Sequence, residues 1–195
     1  NLHRVDHWFS TGKAPKKRNQ KSIYLSAARS WLFNLVVAER IKQQNWSTAI
    51  AGDVMLLAGT RGSVFDVDDI DDTIIRRVAE MDIHPTAVLW GRGRSQAQDE
   101  CLALEQQTLN EWQDWQQGLE KAGLNQERRA LRLFPSDFDW QFIDDEQLEL
   151  SFFLPAGCYA TSVMRELAVI ADKSQRNYHE EKTITDSNST NAQGI

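Results

Sequence analysis

Cysteine and proline are scarce in this 195-residue chain, which has two of one and four of the other. The two thiols, Cys101 and Cys158, stand far apart in the sequence. That excludes a disulfide-dense secreted scaffold and leads us to expect two buried thiols in a reducing cytosol. No apolar run approaches the ~20 residues a helix needs to cross a bilayer. The opening NLHRVDHWFS has no apolar core of the kind a signal peptide carries. The expectation is a cytoplasmic protein with no membrane attachment.

Acid is missing from one place in particular. Between Lys13 and Asn34 there is no Asp or Glu, while Lys13, Lys16, Lys17, Arg18, Lys21 and Arg29 crowd the span. Residues 1–42 hold nine Lys/Arg against two acids, a net of +7, whereas the remaining 13 basic and 26 acidic residues give −13. The overall −6 therefore hides one cationic end on an acidic body, which suits a polyanion-binding face. From Ser22 onward Ala28, Trp31, Leu32, Leu35, Val36 and Ala38 recur at helical spacing, so the charges lead straight into an amphipathic helix. Clustered cations beside aromatics suit a phosphate backbone. Charge alone leaves open a solvated lead-in to an ordinary helix.

In chain order, residues 1–21 read as a basic lead-in with a loop at Pro15, and a helix is predicted from Ser22 to Gln44. Gly52–Val67 reads as a hairpin turning at Gly59-Thr60-Arg61-Gly62. The aspartates of DVDDIDDTIIRRVAEMDI fail the calcium-loop pattern at Ile70, Asp71 and Arg77, and are read as opening a helix over Asp69–Met81. Residues 83–96 are predicted as a loop, in which Gly91 and Gly93 would let Arg92 and Arg94 clasp phosphate. His84 has no second His or Cys at ligand spacing, so a structural role is preferred and no metal is expected. A second helix over Ala97–Ala122 carries Cys101, Leu104, Thr108, Trp112, Trp115 and Leu119 on a stripe read as core, stopped by Gly123. Alternating patterns predict strands at Ala130–Phe134, Phe138–Ile143 and Gln147–Leu154, then a helix over Ala160–Ala171. The polar tail 172–195 is expected to be disordered.

Four segments in this order resemble the tRNA pseudouridine synthase D (TruD) family: RNQKSIYLSAARSWLFN at Arg18–Asn34, GDVMLLAG at Gly52–Gly59, ALEQ at Ala103–Gln106, and RRALRLFPSDFDWQFIDDEQLELSFFLPAGCYATSVMREL at Arg128–Leu167. The resemblance implies an α+β fold in two parts. A helix-rich inserted domain with a β-hairpin, residues 1–129, would bind tRNA. Residues 130–171 would be the C-terminal strands and helix of the pseudouridine synthase catalytic domain, a mixed or antiparallel sheet. The family implies isomerisation of uridine, at nucleotide 13 of tRNA, without metal or organic cofactor. Pro155, Gly157 and Tyr159 are expected near the target base, because strand ends in an open sheet commonly line a site. Tyr159 would stack on a flipped ring or else be a core tyrosine. Arg165 would meet a phosphate or the catalytic acid, or else pattern the helix surface with Glu166. Lys13, Lys16, Lys17, Arg18, Lys21, Arg29, Arg92 and Arg94 would meet the tRNA backbone.

The resemblance is incomplete in one respect. The family's catalytic aspartate lies in a motif like Gly-Gln-Lys-Asp-Lys-His, and a second motif like Asn-Tyr-Phe-Gly-x-Gln-Arg-Phe-Gly stands nearby; neither occurs here. Asp137, Asp139, Asp144 and Asp145 fall in turns or on strand faces where solvated acids are expected, so none is assigned that role. The chain also begins at Asn1 rather than Met. The expectation is a fragment whose nucleophile lies upstream of Asn1, inactive alone, with a monomer favoured. A non-catalytic RNA-binding module and an acidic protein-interaction domain remain open alternatives.

Overall fold

The computed structural model describes residues 1–60, 62–155 and 158–170. The chain divides into two compact units, Asn1–Leu133 and Phe134–Ile195. The strand predicted from Ala130 bears on that division. It runs instead over Glu127–Ala130 and pairs inside the first unit, so the change of unit falls just after it. The tail 172–195, Ala171 and Arg61 lie outside the described residues.

The first unit opens with a helix, α1, at Leu2–Thr11, where a basic lead-in is predicted. Its apolar residues Leu2, Val5, Trp8 and Phe9 recur at helical spacing, and Val5 and Trp8 are buried. Gly12 ends it in the left-handed region at φ 72°, its N–H donating to the Trp8 carbonyl at 2.8 Å. That backbone favours glycine, which carries no Cβ to crowd the preceding turn. Helix α2 spans Arg18–Lys42 and begins four residues before the predicted Ser22 cap. Lys and Arg are strong helix formers, so Arg18 and Lys21 join the helix while Lys13, Lys16 and Lys17 stay ahead of it. Tyr24, Leu25, Ala28, Leu32, Phe33 and Val36 make its buried face.

Strands β1 (Val54–Leu57) and β2 (Val64–Asp66) form the predicted antiparallel hairpin. Asp71 caps helix α3 (Asp72–Ala79), accepting from the Ile74 N–H at 2.8 Å. The aspartates do open a helix, and two of them are used as cap and first turn. The predicted loop at 83–96 is wrong over its first half. Ile83–Leu89 is strand β3, paired on one side with β1 and on the other with β4 (Glu127–Ala130). Five consecutive buried residues, Pro85–Leu89, are the mark of a strand covered on both faces, which shows no alternation. Pro85 misleads because its carbonyl accepts from Leu131, at the end of the β4 ladder. Its missing N–H points the same way, so pairing with β1 is intact.

The sheet order is β2-β1-β3-β4, antiparallel throughout. Val54 feeds the larger apolar cluster, with Leu25, Ala28, Leu32 and Val36, and its neighbour Met55 feeds a smaller one with Val67, Val78 and Ile83. The predicted helix over 97–122 is broken in two. α4 (Asp99–Leu109) and α5 (Gln113–Lys121) are joined by a 3₁₀ turn at Asn110–Trp112. Cys101, Leu104, Trp115 and Leu119 are buried as the stripe requires. Trp112 is half-buried and stacks edge-on against both Trp31 and Trp115.

The second unit is a two-stranded ribbon, β5 (Ser136–Phe142) against β6 (Leu148–Phe153), followed by helix α6 (Ala160–Leu167). Trp140 faces Leu150 and Phe142 faces Leu148, while Asp139 faces Ser151 and Gln141 faces Glu149. One face is thus apolar and the other polar. Among the described residues the buried core ends at Leu131, so no described residue of this unit is in it.

Candidate nucleic-acid interface

The connector between α1 and α2 presents Lys13, Lys16 and Lys17, and α2 opens on Arg18, all four exposed. Among the described residues none of them pairs with a carboxylate. Lys21, one turn into α2, is half-buried and its ammonium lies 5.7 Å from the Trp8 ring centroid. That cation–π contact fixes its direction. These five cations gather on one short stretch, as charge patterning predicts.

Arg29 does not join them. Its Nη1 donates to Glu127 Oε2 at 3.2 Å, and its Nη2 donates to the carbonyls of Leu89 and Asn125, each at 2.9 Å. Arg29 therefore binds α2 to the end of β3 and the start of β4. Arg92 and Arg94 do not form a clasp. Arg92 Nε donates to the Glu120 carbonyl at 2.6 Å, whereas Arg94 lines a cleft of about 730 Å³ with Asp66, Gln98 and Asp99. Gly91 approaches protein rather than ligand, since a Cβ there would lie 2.4 Å from the Asn125 backbone.

Among the described residues two buried ion pairs carry the interior electrostatics. Arg40 and Asp53 are 1% and 0% exposed and pair twice, at 2.9 and 3.0 Å. Arg40 also donates to the Asn45 and Thr48 carbonyls, and Asp53 accepts from the Ile50 N–H. Glu105 pairs with Arg128 at 2.9 Å and accepts from the Val88 N–H. Burial raises the Glu105 carboxyl above its ordinary range, and Arg128 opposes that shift. The sequence reading missed both pairs. The one available signal was Glu105 standing one residue after Leu104 inside an otherwise core-facing segment.

His84 has the structural role expected. Its Nδ1 accepts from Arg132 Nε at 3.0 Å, and Arg132 Nη2 donates to the Val78 and Ile83 carbonyls. Burial, then the neighbouring Arg132 charge, lowers its pKa. Burial pushes the Cys101 thiol far up, leaving no reactive thiolate there. Cys158 is exposed, which corrects the expectation of two buried thiols.

In the second unit Pro155 and Tyr159 are exposed, Tyr159 to 72%, and Arg165 is exposed on the last turn of α6. Tyr159 is therefore not a core tyrosine. Gly157 lies outside the described residues. Asp137, Asp139, Asp144 and Asp145 are all exposed; Asp139 accepts from the N–H of Trp140, its neighbour in β5, and Asp144 accepts from the N–H of Glu146 in the turn. Among the described residues no group of three His, Cys, Asp or Glu side chains is gathered for a metal ion.

Residues 10–167 match the family model described as tRNA pseudouridine synthase D (TruD). The chain belongs to the TruD family. Tested against curated TruD relatives, it is 48% identical to the tRNA pseudouridine synthase D of Hydrogenovibrio crunogenus, covering 86% of this chain and 48% of that protein. It is 45% identical to the protein of that name from Nitrosococcus oceani, covering 86% and 47%. For Aeromonas salmonicida the identity is 48%, covering 91% and 50%. The chain thus spans about half the length of the curated relatives it matches. A solved structure described as a TruD protein of Methanosarcina mazei superposes with a TM-score of 0.60 at 20% identity, over 77% of this chain and 38% of that one. At that identity the likeness shows the fold alone.

Proposed function

We propose that this chain is the RNA-binding part and one pocket wall of a tRNA pseudouridine synthase that acts on uridine 13 in the cytoplasm. The observation that carries this reading is the family match running across both units. The exposed cations at 13–18 support the RNA-binding role. In the reaction the bond from C1′ to N1 breaks, the base rotates, and C1′ bonds to C5. The C5 proton leaves and N1 gains one, so substrate and product are isomers. Reaching those atoms requires the base to leave its stack. Tyr159, with Pro155, Gly157 and Arg165, is assigned to the wall that receives it, Tyr159 offering a ring to stack on. The nucleophilic carboxylate is assigned to a segment of the relatives that this chain does not match.

The ribbon supports the partial role. A two-stranded sheet is at best marginally stable without a layer on its apolar face. Here Trp140, Phe142 and Leu148 are 59%, 67% and 49% exposed on that face. The test joins this chain to the unmatched segment of the Aeromonas salmonicida relative in one polypeptide and assays pseudouridine in tRNA. Product at nucleotide 13 is expected from the hybrid and none from the 195-residue chain. Turnover by the chain alone overturns the assignment of the nucleophile, and an inactive, folded hybrid overturns the functional reading.

A further inference from the structure

A groove of about 230 Å³ lies between α2 and the β3–β4 end of the first sheet, lined by Ser22, Ser26, Arg29, Ser30, Glu127 and Arg129 among others. The three serines are spaced four apart on α2 and so stand on one face of the helix. They cover about 12 Å of its length. Among the described residues none of their hydroxyls donates to or accepts from a protein group. Arg129 is exposed, in no ion pair among the described residues, and its guanidinium carbon lies over the Phe33 ring, 5.4 Å from its centroid. Arg29 faces the same groove with its Nε buried and unpartnered. Glu127 is the one acid on the groove wall, and Arg29 neutralises it. Ser22, the first of the groove serines along α2, directly follows Lys21 in the sequence and stands four residues after Arg18.

We infer that this groove is a seat for a ribose–phosphate backbone, continuing the track that begins on the cationic connector. The inference rests on the RNA-binding reading above and adds residues that charge counting did not select. Three free hydroxyls and one unpaired guanidinium suit ribose hydroxyls and phosphate oxygens. A protein partner would need exposed apolar anchors, yet of the apolar lining Leu25 and Leu89 are buried and Leu124 is half-buried. The length of the serine row matches about three stacked nucleotides at about 3.4 Å each. Arg29, predicted as a direct contact, becomes a positioning residue that holds the two walls together.

The test titrates the 195-residue chain with a tRNA transcript at several salt concentrations. Three variants are compared: Arg129→Ala, the triple Ser22→Ala/Ser26→Ala/Ser30→Ala, and the connector triple Lys16→Glu/Lys17→Glu/Arg18→Glu. Arg129→Ala is expected to weaken binding about tenfold and to flatten the log–log salt slope by about 1. The serine triple is expected to weaken binding several-fold with the slope unchanged, because a hydroxyl contact releases no counterion. Ala is a better helix former than Ser, so unfolding cannot account for that loss, and circular dichroism checks it. Wild-type affinity and slope in both groove variants, with weakened binding in the connector triple, overturns the groove and spares the RNA reading. No RNA retention by the unaltered chain at low salt overturns both. Displacement of the RNA by millimolar inorganic phosphate at matched ionic strength, lost in the Arg129 variant, makes this a small-anion site and also overturns the inference.

Discussion

His84 and Arg132 show how one contact sets a pH response. Burial, and after it the neighbouring Arg132 charge whose N–H the His84 Nδ1 accepts, favour the neutral imidazole and lower its pKa. Asp82 pulls in the opposite direction but is the smallest of the three influences. The folded pKa is therefore below the unfolded value of about 6.5. Above that value His84 is neutral in both states and its contribution to stability is complete. As pH falls below about 6.5 the unfolded chain takes up a proton first, so stability declines until the folded pKa is passed. Urea midpoints between pH 7.5 and 5 should fall on acidification. His84→Asn, which keeps an acceptor near Nδ1, should make that decline shallower. The Glu105 response is common to both proteins, so their difference isolates His84. Parallel curves for the two would remove His84 as the cause. The same close reading separates Arg29 from its basic neighbours, for an arginine with three protein partners is a fastener whatever its sequence context suggests.

Helix α1 docks on the rest of the first unit through a site with no side chain. At Gly118 of α5 an added Cβ would lie 2.4 Å from Phe9 Cγ, and Phe9 stacks edge-on with Trp115 at 6.1 Å. In an isolated helix Ala is better than Gly by about 1 kcal/mol. Forcing a methyl against an aromatic ring costs about 1–3 kcal/mol. Gly118→Ala should therefore lower the melting temperature despite improving helix propensity, and hydrogen exchange in α1 should speed up. In a Phe9→Ala background the same change should become neutral or stabilising. A Gly118→Ala protein as stable as the parent would show that α1 shifts at no cost. At this scale the long α2 pattern was readable because its apolar spacing persists over many turns. The break between α4 and α5 was not, because the local sequence favours helix throughout and Leu109 is drawn into the core at the join. β3 was missed for a related reason, since a strand covered on both faces carries no alternation to read.

Over the whole molecule, both apolar clusters belong to the first unit. A chain ending at Leu133 should therefore fold by itself and unfold cooperatively at nearly the urea midpoint of the full chain. It should also lose most of the binding of a dye that reports exposed apolar surface, because Trp140, Phe142 and Phe153 are gone. A large drop in midpoint would show that the second unit supports the first. Family membership lies at the same scale. It was legible in four ordered segments, and the match over residues 10–167 agrees with where those segments stand.

Local order in the chain fixed what depends on neighbours in sequence: the hairpin at 54–66, the aspartate-capped α3, the run of α2, the polarity of the β5–β6 ribbon and the cationic connector. Partners distant in sequence decided the rest. Arg29 meets Glu127, Arg40 meets Asp53, Glu105 meets Arg128, and Gly91 meets Asn125 only because the sheet brings them together. A side chain's charge is written in the sequence, but whether that charge faces solvent or a partner is settled by packing, since burial makes an unpaired ion too costly to keep.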